Sequence, residues 1–516
     1  MADASQPGNS VRAEAGPEGP PSDVLNILSG TSQNVVGIVI AAAATFTTNV
    51  LISNALGKEA FGVVTVLTQA AFVVSFATRA GMDMAVLRDV AIEVGRGRFE
   101  RIRTPVARAT LIAVAVSAVA GALAVTFDSA IRNLFSIEEG LGRHAVQMAA
   151  LGLPFLALAT VWLSATRGLK IMRYTLYIFW AGQPLMWLLL MVAGWQLSKT
   201  AWMSVLAYSA SWTLASLGAW LAWRKESRGW EAAPMEPGDL DRLFRYAGPR
   251  APAALFSQLL FWTDLFVLTR YAPAGEIGVY SAALRAGQIL VLFLTSVSLM
   301  FSPFVADMHN RGETVRLDML FKNLTRWTLA ATMPVFLLLV VAPSDALKVF
   351  GSDFSGGHAA LLILLAGQFV NIATGSVGFV LIMVGRTGWD LIVYAASLAL
   401  SLGLAFWLAP RYGMEGAAVA NAVTFALSKW ARLVLVKRFV AIQPYDRHYG
   451  RLLAPVGAGL VAMWGVHQVA PGGFLLDLLM TGVVGTAVYA LLYLTVGLTE
   501  AERRGLAGLW NKLKTR

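Results

Sequence analysis

The sequence predicts an all-α polytopic membrane protein of about 14 transmembrane helices, arranged as two six-helix lobes related by an internal repeat and followed by two C-terminal helices. Two observations predict this. The first is composition: 57% of residues are apolar and only 14% charged, where a soluble domain carries about 25% charge. The second is a duplication. Apolar stretches 33 to 53 and 60 to 80 are joined by Gly57-Lys58-Glu59-Ala60-Phe61-Gly62, and stretches 247 to 271 and 276 to 305 are joined across Ala274-Gly275-Glu276-Ile277-Gly278. Thr48-Asn49 matches Thr263-Asp264 at an offset of 215, and Gly62 matches Gly278 at 216, with one residue inserted in the hairpin. Long-period self-similarity in an apolar chain marks a transporter of two homologous lobes with its substrate path where they meet.

Residues 1 to 24 open the chain as a tail rich in Pro, Gly, Ser, Ala and Glu, which cannot bury enough apolar surface to order itself. The tail has neither the basic start nor the short apolar run of a cleaved signal peptide, so the first span is expected to remain. A span needs about 20 apolar residues. Candidates fall near 33 to 53, 60 to 80, 106 to 127, 145 to 165, 174 to 194 and 201 to 223, giving an N-terminal lobe over 25–230. A cytoplasmic linker, 231–246, contains Pro234, Pro237-Gly238 and then Asp239-Leu240-Asp241-Arg242, where Asp239 is expected to cap a short amphipathic turn on the membrane surface. Spans near 247 to 271, 276 to 305, 324 to 342, 359 to 383, 391 to 409 and 414 to 434 make a C-terminal lobe over 247–438. Two extra helices occupy 452–498. The last segment, 499–516, opens with Thr499-x-x-Glu502, a capping box, and sets Leu506, Leu509, Trp510 and Leu513 against Arg503, Arg504, Lys512 and Lys514, the pattern of a basic interfacial helix.

Basic residues orient this array. With the N-terminus inside, 32 of the 41 Lys and Arg fall in inner segments against seven in outer loops, Arg108 and Arg285 lying within spans. The positive-inside rule then places both termini in the cytoplasm. Topology accounts for much of the net charge of +11, and no soluble domain presents these charges to nucleic acid.

Chemistry-bearing motifs are sparse. The chain has no P-loop, no cysteine, and five histidines (His144, His309, His358, His448 and His467) too scattered in sequence to suggest a metal site. No catalytic residue, metal or cofactor is expected, and transport is favoured over enzymatic activity.

Ser29-Gly30-Thr31, the Gly57 to Gly62 hairpin and Ala80-Gly81-Met82-Asp83-Met84-Ala85-Val86-Leu87-Arg88-Asp89-Val90-Ala91 resemble the N-terminal pattern of the polysaccharide transport family, whose best-known members are O-antigen flippases. Gln258-Leu259-Leu260-Phe261-Trp262-Thr263-Asp264, Gly278-Val279-Tyr280-Ser281-Ala282-Ala283-Leu284-Arg285, Phe301-Ser302-Pro303-Phe304 and Tyr412-Gly413-Met414-Glu415-Gly416-Ala417-Ala418 extend the resemblance into the second half. The family belongs to the multidrug, oligosaccharidyl-lipid and polysaccharide exporter superfamily. The resemblance implies a flippase in the bacterial cytoplasmic (inner) membrane that moves polyprenyl-diphosphate-linked oligosaccharide for O-antigen, capsule or exopolysaccharide biosynthesis. Membrane lipids, a polysaccharide polymerase and glycosyltransferases are its implied partners. The alternatives are an H⁺- or Na⁺-coupled multidrug exporter of the same superfamily, or a non-transporting scaffold for polysaccharide assembly enzymes.

A diphosphate and a glycan cannot cross hydrocarbon unaided, so such lobes must enclose a cationic, hydrated cavity. Arg285, nine residues inside span 8 or roughly 13 Å deep, is the leading candidate, because arginine offers paired donors to phosphate oxygens. Asp264, about 10 Å from the outer end of span 7, is expected to face it at similar depth. Their alternative role is a structural ion pair. The repeat places Asn49 opposite Asp264 and Gln69 opposite Arg285, offering neutral groups to sugar hydroxyls or to neighbouring helices. Arg79, Asp83 and Arg88 are candidates for a cytoplasmic entrance or for topology charges, and Arg270 for a rim charge. Pro154, Pro184 and Pro334 are expected to kink their helices.

Overall fold

The computed structural model describes residues 32–142, 144–469, 472–499 and 502–503. The expected tail, Ser29-Gly30-Thr31 and the basic segment beyond Arg503 lie outside the described residues. The first half contributes α1 (Ser32–Thr78), α2 (Met82–Gly95), α3 (Arg103–Thr126), α4 (Ala145–Gly168), α5 (Gln183–Gly194) and α6 (Ala201–Glu226). The second contributes α7 (Asp239–Leu268), α8 (Ala274–Asn310), α9 (Thr314–Val341), α10 (His358–Ala373), α11 (Val377–Met383) and α12 (Thr387–Val440), and α13 (Leu453–Val469) and α14 (Phe474–Leu492) complete the chain.

Twelve helices among the described residues are long and apolar enough to cross a membrane, and the protein is a multi-pass membrane protein. Two of the twelve, 40 residues within α1 and the 54 residues of α12, are about twice or more the length a crossing needs. Each is broken once, at Gly57 (φ 81°, ψ 176°) and at Gly413 (φ 54°, ψ −132°). The fourteen crossings expected from sequence require both broken helices to cross twice. At Gly413 only glycine serves: φ is positive, and a Cβ would sit 2.4 Å from Glu276 Oε1, which accepts the Met414 N–H at 2.7 Å. Glu276 thus caps the second half of α12 from the start of α8.

Hydrocarbon gives no hydrophobic drive for one helix to prefer another, so close packing of small residues selects the partners. Along α4, Ala149, Gly152, Ala157, Ala159, Ser164 and Ala165 are buried, and α6 answers with Ser204, Ala207, Ser211, Ala215 and Ala219. A Cβ on Gly152 would lie 2.7 Å from Ser209 Oγ, whose hydroxyl donates to the Met148 carbonyl at 2.6 Å. Large apolar side chains such as Leu111, Leu123, Leu189 and Leu479 face outward. Immediately before Pro184, Thr175–Gly182 forms a π-helical stretch, so the disturbance expected at this proline is an extra residue in the preceding turn.

The linker differs from its expected form. Asp239 does not cap a separate surface turn: it begins the 30-residue α7, which runs unbroken from the linker through residues 247 to 268. Its carboxylate accepts the Glu236 N–H at 2.9 Å and pairs with Arg101 and Arg242. The backbone stays helical through Gly248-Pro249, a pair that ordinarily marks a turn, so the two segments form one helix against the local breaker signal.

The repeat is expressed in the packing of α1 against α8. A Cβ on Gly62 would lie 2.8 Å from the Ala274 carbonyl oxygen, and one on Gly278 would lie 1.9 Å from the Lys58 carbonyl oxygen. Each glycine receives the backbone four residues upstream of the other. Beside this contact, Phe46 and Phe61 meet Phe350 and Phe354 at ring separations of 5.4 to 6.1 Å, and Asn54 Nδ2 donates to the Val349 carbonyl at 2.9 Å. The lobes touch here, at the end distal to the linker.

Candidate functional site

Arg285 lies eleven residues beyond the start of α8, about 16 Å along the helix. Its guanidinium stands over the Trp262 ring of α7 at 5.2 Å, near Tyr208 of α6 in the opposite lobe. Its side chain donates a long hydrogen bond, 3.5 Å from Nη1 to Gln288 Oε1, and among the described residues its buried Nε has no partner.

The expected pairing with Asp264 is not found: among the described residues, Arg285 and Asp264 form no ion pair. Asp264, fully buried, instead accepts a hydrogen bond from the Tyr280 hydroxyl, with Asn421 beside the same carboxylate. Helix geometry accounts for this. At 100° per residue, Trp262 and Asp264 project about 200° apart on α7, and Tyr280 and Arg285 about 140° apart on α8. Asp264 is only four residues from the end of α7, roughly 6 Å, so it meets Tyr280 near the hairpin and not Arg285 deeper in.

The neutral candidates of the first lobe are occupied locally. Asn49 Nδ2 donates to the Thr45 carbonyl at 2.7 Å, and Gln69 Nε2 reaches Thr68 Oγ1 at 3.5 Å. Thr48 and Thr263, matched by the repeat, both donate to the carbonyl four residues back, at 2.8 and 2.7 Å. Arg270 is exposed at the distal end, where a rim charge was expected.

At the linker end of the first lobe, Arg79 and Asp83 are buried and paired at 3.1 Å, with Arg79 also stacked on Phe76 at 4.0 Å. Arg167 of α4 joins them, donating to Ser164 Oγ at 2.6 Å, so the group holds two cations against one anion. Arg88 is exposed, over Tyr246 at 4.7 Å, and does not enter this group. Nearly two turns beyond Asp83, Arg242 of α7 reaches Asp89 of α2 at 3.0 Å. Burial pushes the Asp89 carboxyl above its usual range, only partly offset by Arg242.

The second lobe holds groups that the sequence did not single out. Arg432 pairs with Asp390 at 2.9 Å and stacks on Tyr394 at 4.1 Å, with Lys429 one turn away. Arg326 and the Trp327 indole both donate to Glu502, which closes the capping box by accepting the Thr499 N–H at 2.7 Å. Near the distal end, His467 Nδ1 lies 2.7 Å from Asp477 and 3.9 Å from Asp345, linking α13 and α14 to the segment after α9. Among the described residues these three could hold a metal ion, a grouping the scattered histidines did not suggest. Lys348 is already paired with Asp345 there, at 2.8 Å. The signal for Arg326 and Arg432 was present, since both are basic residues at the ends of apolar runs, but topology alone had accounted for them.

A common feature joins these cations. Arg79 Nη2, Arg167 Nε, Arg285 Nε, Arg326 Nη1 and Arg432 Nη2 are each buried without a hydrogen-bond partner among the described residues. A buried N–H of a charged group is costly to leave unmade, and guanidinium donors are matched to the oxygens of phosphate and carboxylate. Each of these separate donors can take an anionic oxygen.

Comparison with known proteins follows the same direction. Residues 27–309 match the family model described as polysaccharide biosynthesis protein. A putative O-antigen transporter of Shigella flexneri is 22% identical over 424 residues, 78% of this chain and 96% of that protein. A probable low-salt glycan biosynthesis flippase of Haloferax volcanii is 24% identical over 202 residues, 39% of this chain, and a probable flippase of the same organism 21% identical over 254 residues, 47% of this chain. The matched segments span about half the length of these two relatives, 43% and 52%. Among solved structures, the inward closed conformation of the lipid II flippase MurJ superposes with a TM-score of 0.68 at 14% identity, covering 89% of this chain and 98% of that one. An inward-facing multidrug resistance transporter of the MATE family gives 0.65 at 13% identity, covering 79% of this chain and 98% of that one. At these identities the likeness is one of fold.

Proposed function

The chain belongs to the polysaccharide biosynthesis protein family, and from that premise we propose that it is a flippase for polyprenyl-diphosphate-linked oligosaccharide. It works in the cytoplasmic membrane with both termini inside, by alternating access of its two lobes. The reading rests above all on Arg285. A guanidinium deep in α8, between Trp262 of its own lobe and Tyr208 of the other, with a spare N–H and no carboxylate partner among the described residues, suits a diphosphate that arrives and leaves. A carboxylate fixed to it would compete with substrate at every cycle, and Asp264 is held elsewhere by Tyr280.

The seal of Gly62, Gly278 and the phenylalanine cluster closes the lobes at the distal end, the periplasmic one in this assignment. The diphosphate would enter from the linker end, where the cations of Arg79, Arg167 and Arg432 outnumber the local carboxylates, while the prenyl tail stays in lipid. Glycosyltransferases would supply the cargo and a polymerase would consume it.

Arg285→Ala tests the reading. In a strain lacking the gene, the lipid-linked oligosaccharide should accumulate on the cytoplasmic side, and Arg285→Ala should fail to clear it while reaching the membrane at wild-type level. Arg285→Lys should restore export only partly, because an ammonium keeps the charge but loses the paired donors. Normal export by Arg285→Ala would overturn the central-cation mechanism.

A further inference from the structure

A cavity of about 540 Å³ opens between α3, α4 and α6, away from the path described above. Its wall is apolar, built from Val106, Val114, Leu158 and the rings of Trp162, Trp220 and Trp223. Two arginines stand at one end. Arg103 is the first residue of α3, and its Nη1 donates to the Trp230 carbonyl at 2.8 Å. Arg224 lies in the last turn of α6 with its guanidinium 5.1 Å from the Trp220 ring centre. Both are exposed, and among the described residues neither has a carboxylate partner.

We propose that this cavity is a binding site for an anionic phospholipid of the leaflet on the linker side. Three observations fix the occupant. From Arg103 to Val114 is eleven residues, roughly 16 Å of helix, and one leaflet contributes about half of the ~30 Å hydrocarbon thickness. The depth therefore suits an acyl chain standing in its own leaflet. The basic rim lies at the helix ends, where the headgroup of that chain would be, and its charge complements a phosphodiester with net negative charge. Three tryptophans with an apolar body and a polar N–H line the same end, as side chains of the membrane interface do. The site lies on one lobe only, so an occupant would wedge α3 against α4 and α6 without entering the path between lobes.

The full-length protein in phosphatidylcholine nanodiscs, titrated with phosphatidylglycerol brominated on one acyl chain, provides the test. Bromine quenches indole fluorescence on contact, and subtracting a Trp162→Phe, Trp220→Phe, Trp223→Phe variant isolates the signal of the cavity. That component should be quenched at a far lower mole fraction of brominated phosphatidylglycerol than of brominated phosphatidylcholine. Arg103→Ala with Arg224→Ala should remove most of this preference, shifting the midpoint by roughly thirty-fold, as expected for two basic residues at a leaflet surface. Arg103→Lys with Arg224→Lys should retain it, which separates lost charge from lost folding. Equal quenching by both lipids, or an unchanged midpoint in the double alanine variant, would overturn the proposal. So would displacement of phosphatidylglycerol by a polyprenyl phosphate at much lower concentration, which would assign the cavity to the tail of the cargo.

Discussion

Replacing Gly278 with alanine should drive the lobes apart at their distal seal. The added Cβ would sit 1.9 Å from the Lys58 carbonyl oxygen, where ordinary contact begins near 3.4 Å. The Lys58 backbone must therefore retreat by about 1.5 Å, and it cannot do so alone, since Phe61 three residues on is locked between Phe350 and Phe354. Overpacking of this kind costs about 1–3 kcal/mol. The cost falls only on the state in which α1 and α8 touch, so the equilibrium moves toward the distally open state by roughly 5- to 150-fold. Gly62→Ala meets the Ala274 carbonyl at 2.8 Å and needs less than half that displacement, so its effect should be smaller. The two changes burden one contact, and together they should act less than additively. The chain has no cysteine, so a single Ser281→Cys, one turn from Gly278 and 1% exposed, reports the seal cleanly. An impermeant thiol reagent applied outside the cell should label it slowly in the parent and many-fold faster with Gly278→Ala, with export reduced. Unchanged labelling with normal export would refute the reasoning that this contact is the distal seal.

Two further outcomes follow from the geometry. Cysteines replacing the exposed Arg96 and Arg228 should be shielded from the same reagent in intact cells, while those replacing Asn133 and Leu197 should be labelled; the reverse pattern would invert the assigned topology. Burial raises the Glu502 carboxyl, but hydrogen bonds from Thr499 and Trp327 and the charge of Arg326 outweigh it and hold the group below its ordinary value. Its folded value being depressed, Glu502 stabilises its own contact with Arg326, Trp327 and Thr499 above the unfolded value near 4.5, and this contribution is lost as pH falls through the lower folded value. Tryptic cleavage at Arg503 should stay slow from pH 8 to 6, and Glu502→Gln should accelerate it there by weakening a charged contact worth roughly 2 kcal/mol.

The parts of this molecule that follow from one-dimensional pattern were legible in its sequence. Apolar length located the helices, and the repeat matched Gly62 to Gly278, although that these two glycines bring their backbones together is seen only in the structure. The capping box at Thr499 and Glu502 was legible because its two residues are three apart on one turn. Partner choice between helices was not legible, because it depends on rotation and depth that no periodicity supplies when a helix is apolar all round. Asp264 and Arg285 were expected to meet, yet a rotation of about 200° between Trp262 and Asp264 on one helix separates a tyrosine-bound carboxylate from a stacked guanidinium. Arg326 and Glu502 are 176 residues apart, and Arg432 and Asp390 are 42 apart. Nothing in either local sequence requires the other. In hydrocarbon, a charge takes whichever counter-charge the packing of small residues brings within reach. The same argument gives Arg285 its standing. Arg79, Arg326 and Arg432 each found a carboxylate as the helices packed, whereas Arg285, beside Tyr208 of the other lobe, has none among the described residues. On the proposed alternating access, a fixed partner there would have to be broken or carried whenever the lobes change orientation, and a guanidinium left to a mobile anion would tie movement of the lobes to the presence of cargo.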